Sequence, residues 1–276
     1  MKNDLGRYMS ASLRSLSRRV HYGLGEYYDA LTRRKTDMLP PKRMIFVGKG
    51  DFGKIGEHFV SIFKLQGGLK PHHHVLDVGC GIGRMAIPLT KYINSTGQYE
   101  GFDIVPEAIK WCRKNITSQF PNFNFQKADI YNNNYNPAGR LNAVDFRFPY
   151  PDACFDFVFL TSVFTHMRPI EIEHYMLEIT RVLKNDGQCL ITFFLSNEKV
   201  FSAIKEGKSA LNFNFEFPGF LSTDQKLPEA AICYPEKVIR KLFESNGLYI
   251  TALYSGGWRG QPGALSYQDI IIARKR

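Results

Sequence analysis

The chain has 276 residues, 44% of them apolar and 22% charged, with a mean hydropathy of −0.25. At that length one large or two small domains bury enough surface to fold without disulfides or a structural metal, and the ordinary composition excludes collagen-like, disordered and multi-spanning membrane chains. The net charge of +10 is uneven: residues 1–43 hold ten basic and four acidic residues, and the remaining 233 hold 26 and 22. No apolar run approaches the ~18 residues of a membrane span, and the N-terminus lacks the apolar core of a signal peptide. The five cysteines, at 80, 112, 154, 189 and 233, form no CxxC pair and read as reduced thiols of a cytoplasmic protein.

The N-terminal 66 residues read as a helical arm. Leu5, Met9, Leu13, Leu16, Val20 and Leu24 recur at 3–4 spacing, and Ile55, Phe59, Ile62 and Phe63 mark a further helix over 54–65. The arm's basic residues could meet nucleic acid or another anion, but the apolar stripe must also be buried, which favours a cover over an active site. The Gly-rich segment 48–56 reads either as a segment that closes over the ligand or as a simple turn. His72, His73 and His74 sit on alternate faces of an extended segment and do not form a metal site.

From residue 67 onward, strands and helices alternate. Strands are expected at 75–78, 99–103, 123–128, 155–160, 188–195, 249–254 and 267–273. Helices are expected around Ile109, Cys112 and Ile116, along the stripe Ile172, Tyr175, Met176, Ile179 and Leu183, and over 238–243, stopped by Asn246-Gly247. This order predicts a doubly wound, Rossmann-like α/β sheet of seven strands. The last two strands are joined by residues 255–266 without a helical pattern, so the last strand should run antiparallel. Residues 196–235, with Phe213, Phe215, Phe217 and Phe220, form an insert expected to act as a substrate lid.

The stretch 75–84, VLDVGCGIGR, carries the chemistry. A strand runs into Gly79, Gly81 and Gly83 and then into a helix whose Pro88 must lie near its start, so the glycines form the turn where a ligand can lie against bare backbone. Arg84 stands where the GxGxxG dinucleotide fingerprint needs glycine, and the P-loop's Gly-Lys-Ser/Thr is absent. Asp103 ends the next strand, 20 residues after Gly83, where a carboxylate can accept ribose hydroxyls. Asp129-Ile130 ends the strand after that, suited to an adenine amino group and ring. Asp77, Asp103 and Asp129 are thus 26 residues apart, each at the end of a successive strand.

These segments, together with YEGFDIVPEAIKWC, QKADIY, FDFVFLTSVFTHM and RVLKNDGQCLITFF, resemble the successive motifs of class I S-adenosylmethionine-dependent methyltransferases of the broad small-molecule-type group. The resemblance covers residues 71–195. It implies S-adenosyl-L-methionine as cofactor, with Asp77, Gly79, Cys80, Gly81 and Gly83 around the methionine moiety. It also implies Asp103 at the ribose, Ile104, Asp129 and Ile130 at the adenine, and Thr161 and Ser162 closing the site. The expected acceptor is a small or medium-sized molecule, such as a sugar or metabolite carrying a hydroxyl. For such a nucleophile His166 is the candidate general base. Phe215, Phe217, Tyr234, Trp258 and Arg259 are candidate acceptor-pocket residues, with a small core of the lid itself as the equal alternative. RNA or protein methylation, using the basic arm, and a non-catalytic cofactor-binding subunit are the alternatives. Asn134-Tyr135-Asn136-Pro137 follows the third strand, so it is not the amino-methyltransferase box expected after the fourth. Acceptor atom, acceptor molecule and oligomeric state are not encoded in these motifs.

Overall fold

The computed structural model describes residues 38–45, 50–133 and 135–276. The amphipathic arm, Gly48 and Asn134 lie outside the described residues. All seven expected strands form one sheet: β1 (His74–Val78), β2 (Gln98–Asp103), β3 (Phe123–Lys127), β4 (Phe155–Leu160), β5 (Leu183–Phe193), β10 (Leu248–Tyr254) and β11 (Asp269–Lys275). Their spatial order is β3-β2-β1-β4-β5-β11-β10. β1 pairs in parallel with β2 and β4, whereas β11 runs antiparallel to both β5 and β10. The short connection at 255–266 dictates that antiparallel pairing. The order reverses direction at β1, and the carboxyl ends of β1, β2 and β4 open there as the crevice in which open α/β sheets bind ligands.

Val75, Leu76 and Val78 are almost fully buried, as a central strand covered on both faces requires. One core lies between the sheet and the helices Pro169–Val182 and Glu236–Ser245. The other lies beneath Phe52–Leu65, Ala86–Leu89 and Pro106–Cys112. Asp51 caps the first of these helices by accepting the Lys54 N–H at 2.9 Å. Pro169 opens the helix Pro169–Val182, and Glu171 folds back to accept the Arg168 N–H at 2.6 Å.

Three elements differ from the sequence pattern. The helix after the glycine turn is regular only over Ala86–Leu89, since Pro88 brings no N–H to it. β5 starts five residues early, directly from the preceding helix, and absorbs the offset as a register shift opposite Phe155 and Phe157. The segment after it peels away into a second, four-stranded sheet, β6 (Leu195–Ser196), β9 (Ile232–Pro235), β8 (Phe220–Ser222) and β7 (Phe215–Phe217), with a helix at Glu198–Lys205. Residues 196–235 are therefore a folded unit built at the carboxyl end of β5.

Candidate active site

A cavity of about 740 Å³ opens at the carboxyl ends of β1, β2 and β4. This is within the range of about 300–1,000 Å³ typical of small-molecule sites. Gly79, Gly81 and Gly83 adopt positive φ angles of 79°, 54° and 78°. The turn is fastened to β2 by the N–H groups of Gly79 and Cys80, which donate to the Phe102 carbonyl at 2.9 and 3.0 Å. Gly79 and Gly81 line the cavity; Gly83 does not. A Cβ on Gly83 would lie 2.8 Å from Ile116 Cδ1, so this glycine lets the helical stretch after β2, which carries Cys112 and Ile116, pack against the turn.

Asp103 lines the cavity at 9% exposure. Its Oδ2 accepts the Gly81 N–H at 2.8 Å and its Oδ1 accepts the Val105 N–H at 2.9 Å. Burial raises its pKa, and those backbone donors oppose the rise. Each oxygen retains acceptor capacity for a further donor. Asp77 is 1% exposed; its Oδ2 accepts the Tyr99 hydroxyl at 2.6 Å, while its Oδ1 is buried with no partner. Burial pushes its carboxyl up to about 8 despite the Tyr99 hydrogen bond, and the Asp103 charge adds to the rise. A buried acceptor without a donor, two carboxylates and a glycine turn fit a ligand that brings its own ammonium and hydroxyl donors, as S-adenosylmethionine does.

Cys80, Ile104, Ile130, Thr161 and Ser162 also line the cavity. Ser162, at φ 61°, is held by its N–H on Thr192 Oγ1 and by its hydroxyl on Gln268 Oε1. Asp129 is turned elsewhere: its carboxylate is engaged by Arg140 and Lys127, and only its neighbour Ile130 reaches the cavity. The loop after β3 folds back on itself, bringing Arg140 to Asp129, and that local charge pair captures the carboxylate.

His166 lines the cavity from the short turn Phe164–His166. Its Nδ1 lies 2.8 Å from the Glu229 carbonyl oxygen. A carbonyl only accepts, so in the neutral ring Nδ1 carries the proton and Nε2 the lone pair. The ring is open to the cavity but enclosed by protein, which lowers its pKa; the Glu229 and Ala230 carbonyls oppose the shift. Glu229 also pairs with Arg168, and Tyr234 donates its hydroxyl to the Met167 carbonyl, so the insert is fastened to the loop after β4. Lys226, Leu227, Pro228 and Glu229 thereby form part of the cavity wall.

The five residues expected in the acceptor pocket lie outside the cavity. Phe217 stacks on Phe220 at 5.1 Å, and Phe215 is on the exposed side of the same hairpin. Tyr234 is buried beside Met167. Trp258 is fully buried against Phe194 and Phe213, and Arg259 forms an ion pair with the buried Asp269. Aromatic and cationic side chains suited to binding serve here as the core joining the insert to the sheet. The cavity wall instead includes residues to which the sequence reading gave no role in binding, among them Tyr131, Met167, Glu171 and Tyr175. The one available signal was the i, i+4 spacing of Glu171 and Tyr175, which sets both on the same helix face.

A family model described as a methyltransferase domain matches residues 69–247. A 2-phytyl-1,4-naphtoquinone methyltransferase of Nostoc sp. is 26% identical over 140 residues, 50% of this chain and 55% of that protein. The match thus spans about half the length of that curated relative. Among solved structures, the PH0226 protein from Pyrococcus horikoshii is similar with a TM-score of 0.56 at 16% identity, covering 91% of this chain and 99% of that one. Magnesium protoporphyrin IX methyltransferase from Synechocystis, solved with bound SAH, gives 0.52 at 15% identity, covering 94% and 98%. At such identities the structural likeness concerns the fold.

Proposed function

Because the chain belongs to the methyltransferase-domain family, whose enzymes use S-adenosyl-L-methionine, we propose that it methylates a hydroxyl of a small or medium-sized acceptor, with His166 as general base. When bound, the cofactor supplies a methyl group on a sulfonium. The protein contributes orientation and exclusion of water, and positioning of this kind can be worth ~7–11 kcal/mol. Asp103 accepts the ribose hydroxyls, Asp77 Oδ1 accepts the ammonium of the amino acid end, and the bare backbone of Gly79 and Gly81 admits that end to the turn. Ile104 and Ile130 flank the adenine. Phe52 and Phe59, on the helix Phe52–Leu65, line the same cavity and act as its cover. The insert closes the acceptor side through Leu227, Pro228 and Glu229.

The observation that most supports this reading is that the glycine turn, Asp103, the unpartnered Asp77 Oδ1 and His166 all line one cavity. The relative acting on a naphthoquinone is in keeping with a small acceptor. Calorimetry with S-adenosylhomocysteine tests the cofactor half. The wild type should bind, and Asp103→Ala should weaken binding by roughly 1.5–3 kcal/mol, the range for a hydrogen bond to a charged group. Unchanged affinity in a folded Asp103→Ala protein would remove Asp103 from the ribose site.

A further inference from the structure

Tyr175 is a feature of the cavity wall that the cofactor reading leaves without a task. The residue is 4% exposed and lines the cavity, and its hydroxyl has no hydrogen-bond partner among the described residues. A cavity-wall hydroxyl that no protein group engages is free to donate to a bound ligand's oxygen. The ring is fixed, meeting Phe148 edge-on at 5.1 Å and 85°, with Phe164 6.3 Å away. The hydroxyl is therefore held in position before any ligand arrives, the condition under which a donor stabilises developing charge best.

We infer that Tyr175 and His166 together form the acceptor's oxygen site, and that this site selects a phenolic or enolic hydroxyl over an aliphatic one. The inference rests on the methyltransferase reading above and narrows its acceptor class. The step balances simply: the acceptor O–H bond breaks, the proton passes to Nε2 of His166, and the electron pair stays on oxygen. The Tyr175 O–H donates to that oxygen.

Four observations favour the acidic hydroxyl. Enclosure by protein lowers the basicity of His166, which favours a hydroxyl more acidic than that of an alkyl alcohol. An aromatic hydroxyl ionises near about 10 and meets that condition. Tyr175 itself is raised by burial, with Glu171 and Asp103 adding to the rise, so it stays protonated and available as a donor. Of the other charged groups here, Glu171 accepts the Arg168 N–H and Arg168 pairs with Glu229. The Lys226 ammonium has no ion-pair partner among the described residues, and its charge favours an oxyanion. The cavity is also walled by the rings of Tyr131 and Tyr135 and by Met167 and Pro228, surfaces that suit a planar aromatic body.

The test uses the full-length protein saturated with S-adenosylhomocysteine, and 4-nitrophenol as probe, read by phenolate absorbance. The cofactor product is titrated first; if it does not bind, the methyltransferase reading fails and this inference with it. With the complex formed, the wild type should bind the phenol and raise its ionised fraction above that of free probe at the same pH. Tyr175→Phe should weaken probe binding by about ten- to a hundred-fold, as loss of a hydrogen bond to a charged oxygen predicts. It should keep wild-type melting temperature and S-adenosylhomocysteine affinity, because the hydroxyl bonds to nothing in the protein. Cyclohexanol should not displace the probe. The inference is overturned if the wild-type complex takes up no 4-nitrophenol, if Tyr175→Phe binds it as the wild type does, if that variant loses stability, or if cyclohexanol competes equally.

Discussion

Gly56, in the middle of the helix Phe52–Leu65, passes so close to Arg84 that a Cβ on it would sit 2.3 Å from the Arg84 carbonyl oxygen. The obstruction is backbone, so it cannot rotate away. The same helix carries Phe52 and Phe59 into the cavity wall, so this contact sets the distance between the cover and the glycine turn. Gly56→Ala should cost about 1–3 kcal/mol by overpacking, outweighing the ~1 kcal/mol that alanine adds to a helix. It should also weaken S-adenosylhomocysteine binding. Gly53→Ala is the internal control: its Cβ would meet nothing nearer than 3.5 Å, so it should leave cofactor affinity alone and hold or slightly raise stability. Thermal melts and calorimetry on the two variants separate the steric effect from a general intolerance of alanine in this helix.

Asp77 should make both stability and cofactor binding depend on pH. Its folded carboxyl titrates at about 8 against an ordinary value of 3.8. Between those values the folded state holds a proton that the unfolded state has lost, so Asp77's contribution to stability falls as pH rises through this window and is constant above it. An ammonium placed at Oδ1 favours the ionised form, so binding S-adenosylhomocysteine should release a proton below about pH 8, and affinity should rise with pH up to that point. Asp77→Asn should bind more weakly, lose most of that pH dependence, and gain stability relative to wild type as pH increases. Calorimetry in buffers of different ionisation enthalpy counts the released proton; no release at about pH 6 would mean that Asp77 is already ionised.

For His166, the tautomer fixed by Glu229 gives a kinetic expectation. His166→Ala should lower kcat by ~10²–10⁴ and leave cofactor affinity intact. In the wild type, kcat should fall on the acid side with a midpoint below 6.5, since enclosure lowers the imidazole pKa. A variant that melts early but turns over normally per folded molecule would assign His166 to packing.

Much of this arrangement was legible in the residues themselves. The seven strands and the reversed last one follow from β-rich runs, glycine stops and a connection too short for a crossover. The glycine turn and Asp103 follow from a strand-to-helix junction whose residue types admit few other geometries. What local pattern missed was set by long-range contacts. Asp129 has the spacing of an adenine ligand, but the loop after β3 delivers Arg140 to it. Tyr175 belongs to an apolar stripe and is buried as a stripe predicts, yet it also lines the cavity because the helix starts at the edge of that opening. Trp258 and Arg259 have the composition of a binding site and form a core instead.

That core makes the last prediction. Asp269 is fully buried and accepts three hydrogen bonds, from the N–H groups of Leu195 at 2.8 Å and Gly256 at 2.7 Å and the Trp258 indole N–H at 2.9 Å, and it forms an ion pair with the Arg259 guanidinium at 2.8 Å. It thus joins the start of the insert, the turn between β10 and β11, and β11 itself. Removing one partner of a buried ion pair leaves the other charge uncompensated and costs about 3–5 kcal/mol. Asp269→Ala also strands three neutral donors, so its cost should lie at the upper end, with a fall in melting temperature of roughly 6–20 °C for a chain of this size. Replacing both partners, as in Asp269→Leu with Arg259→Met, should recover part of the loss, since no charge is then left alone. Whatever remains folded should bind S-adenosylhomocysteine as the wild type does, because neither residue lines the cavity. A stable Asp269→Ala protein with impaired cofactor binding would place Trp258 and Arg259 back in the functional site.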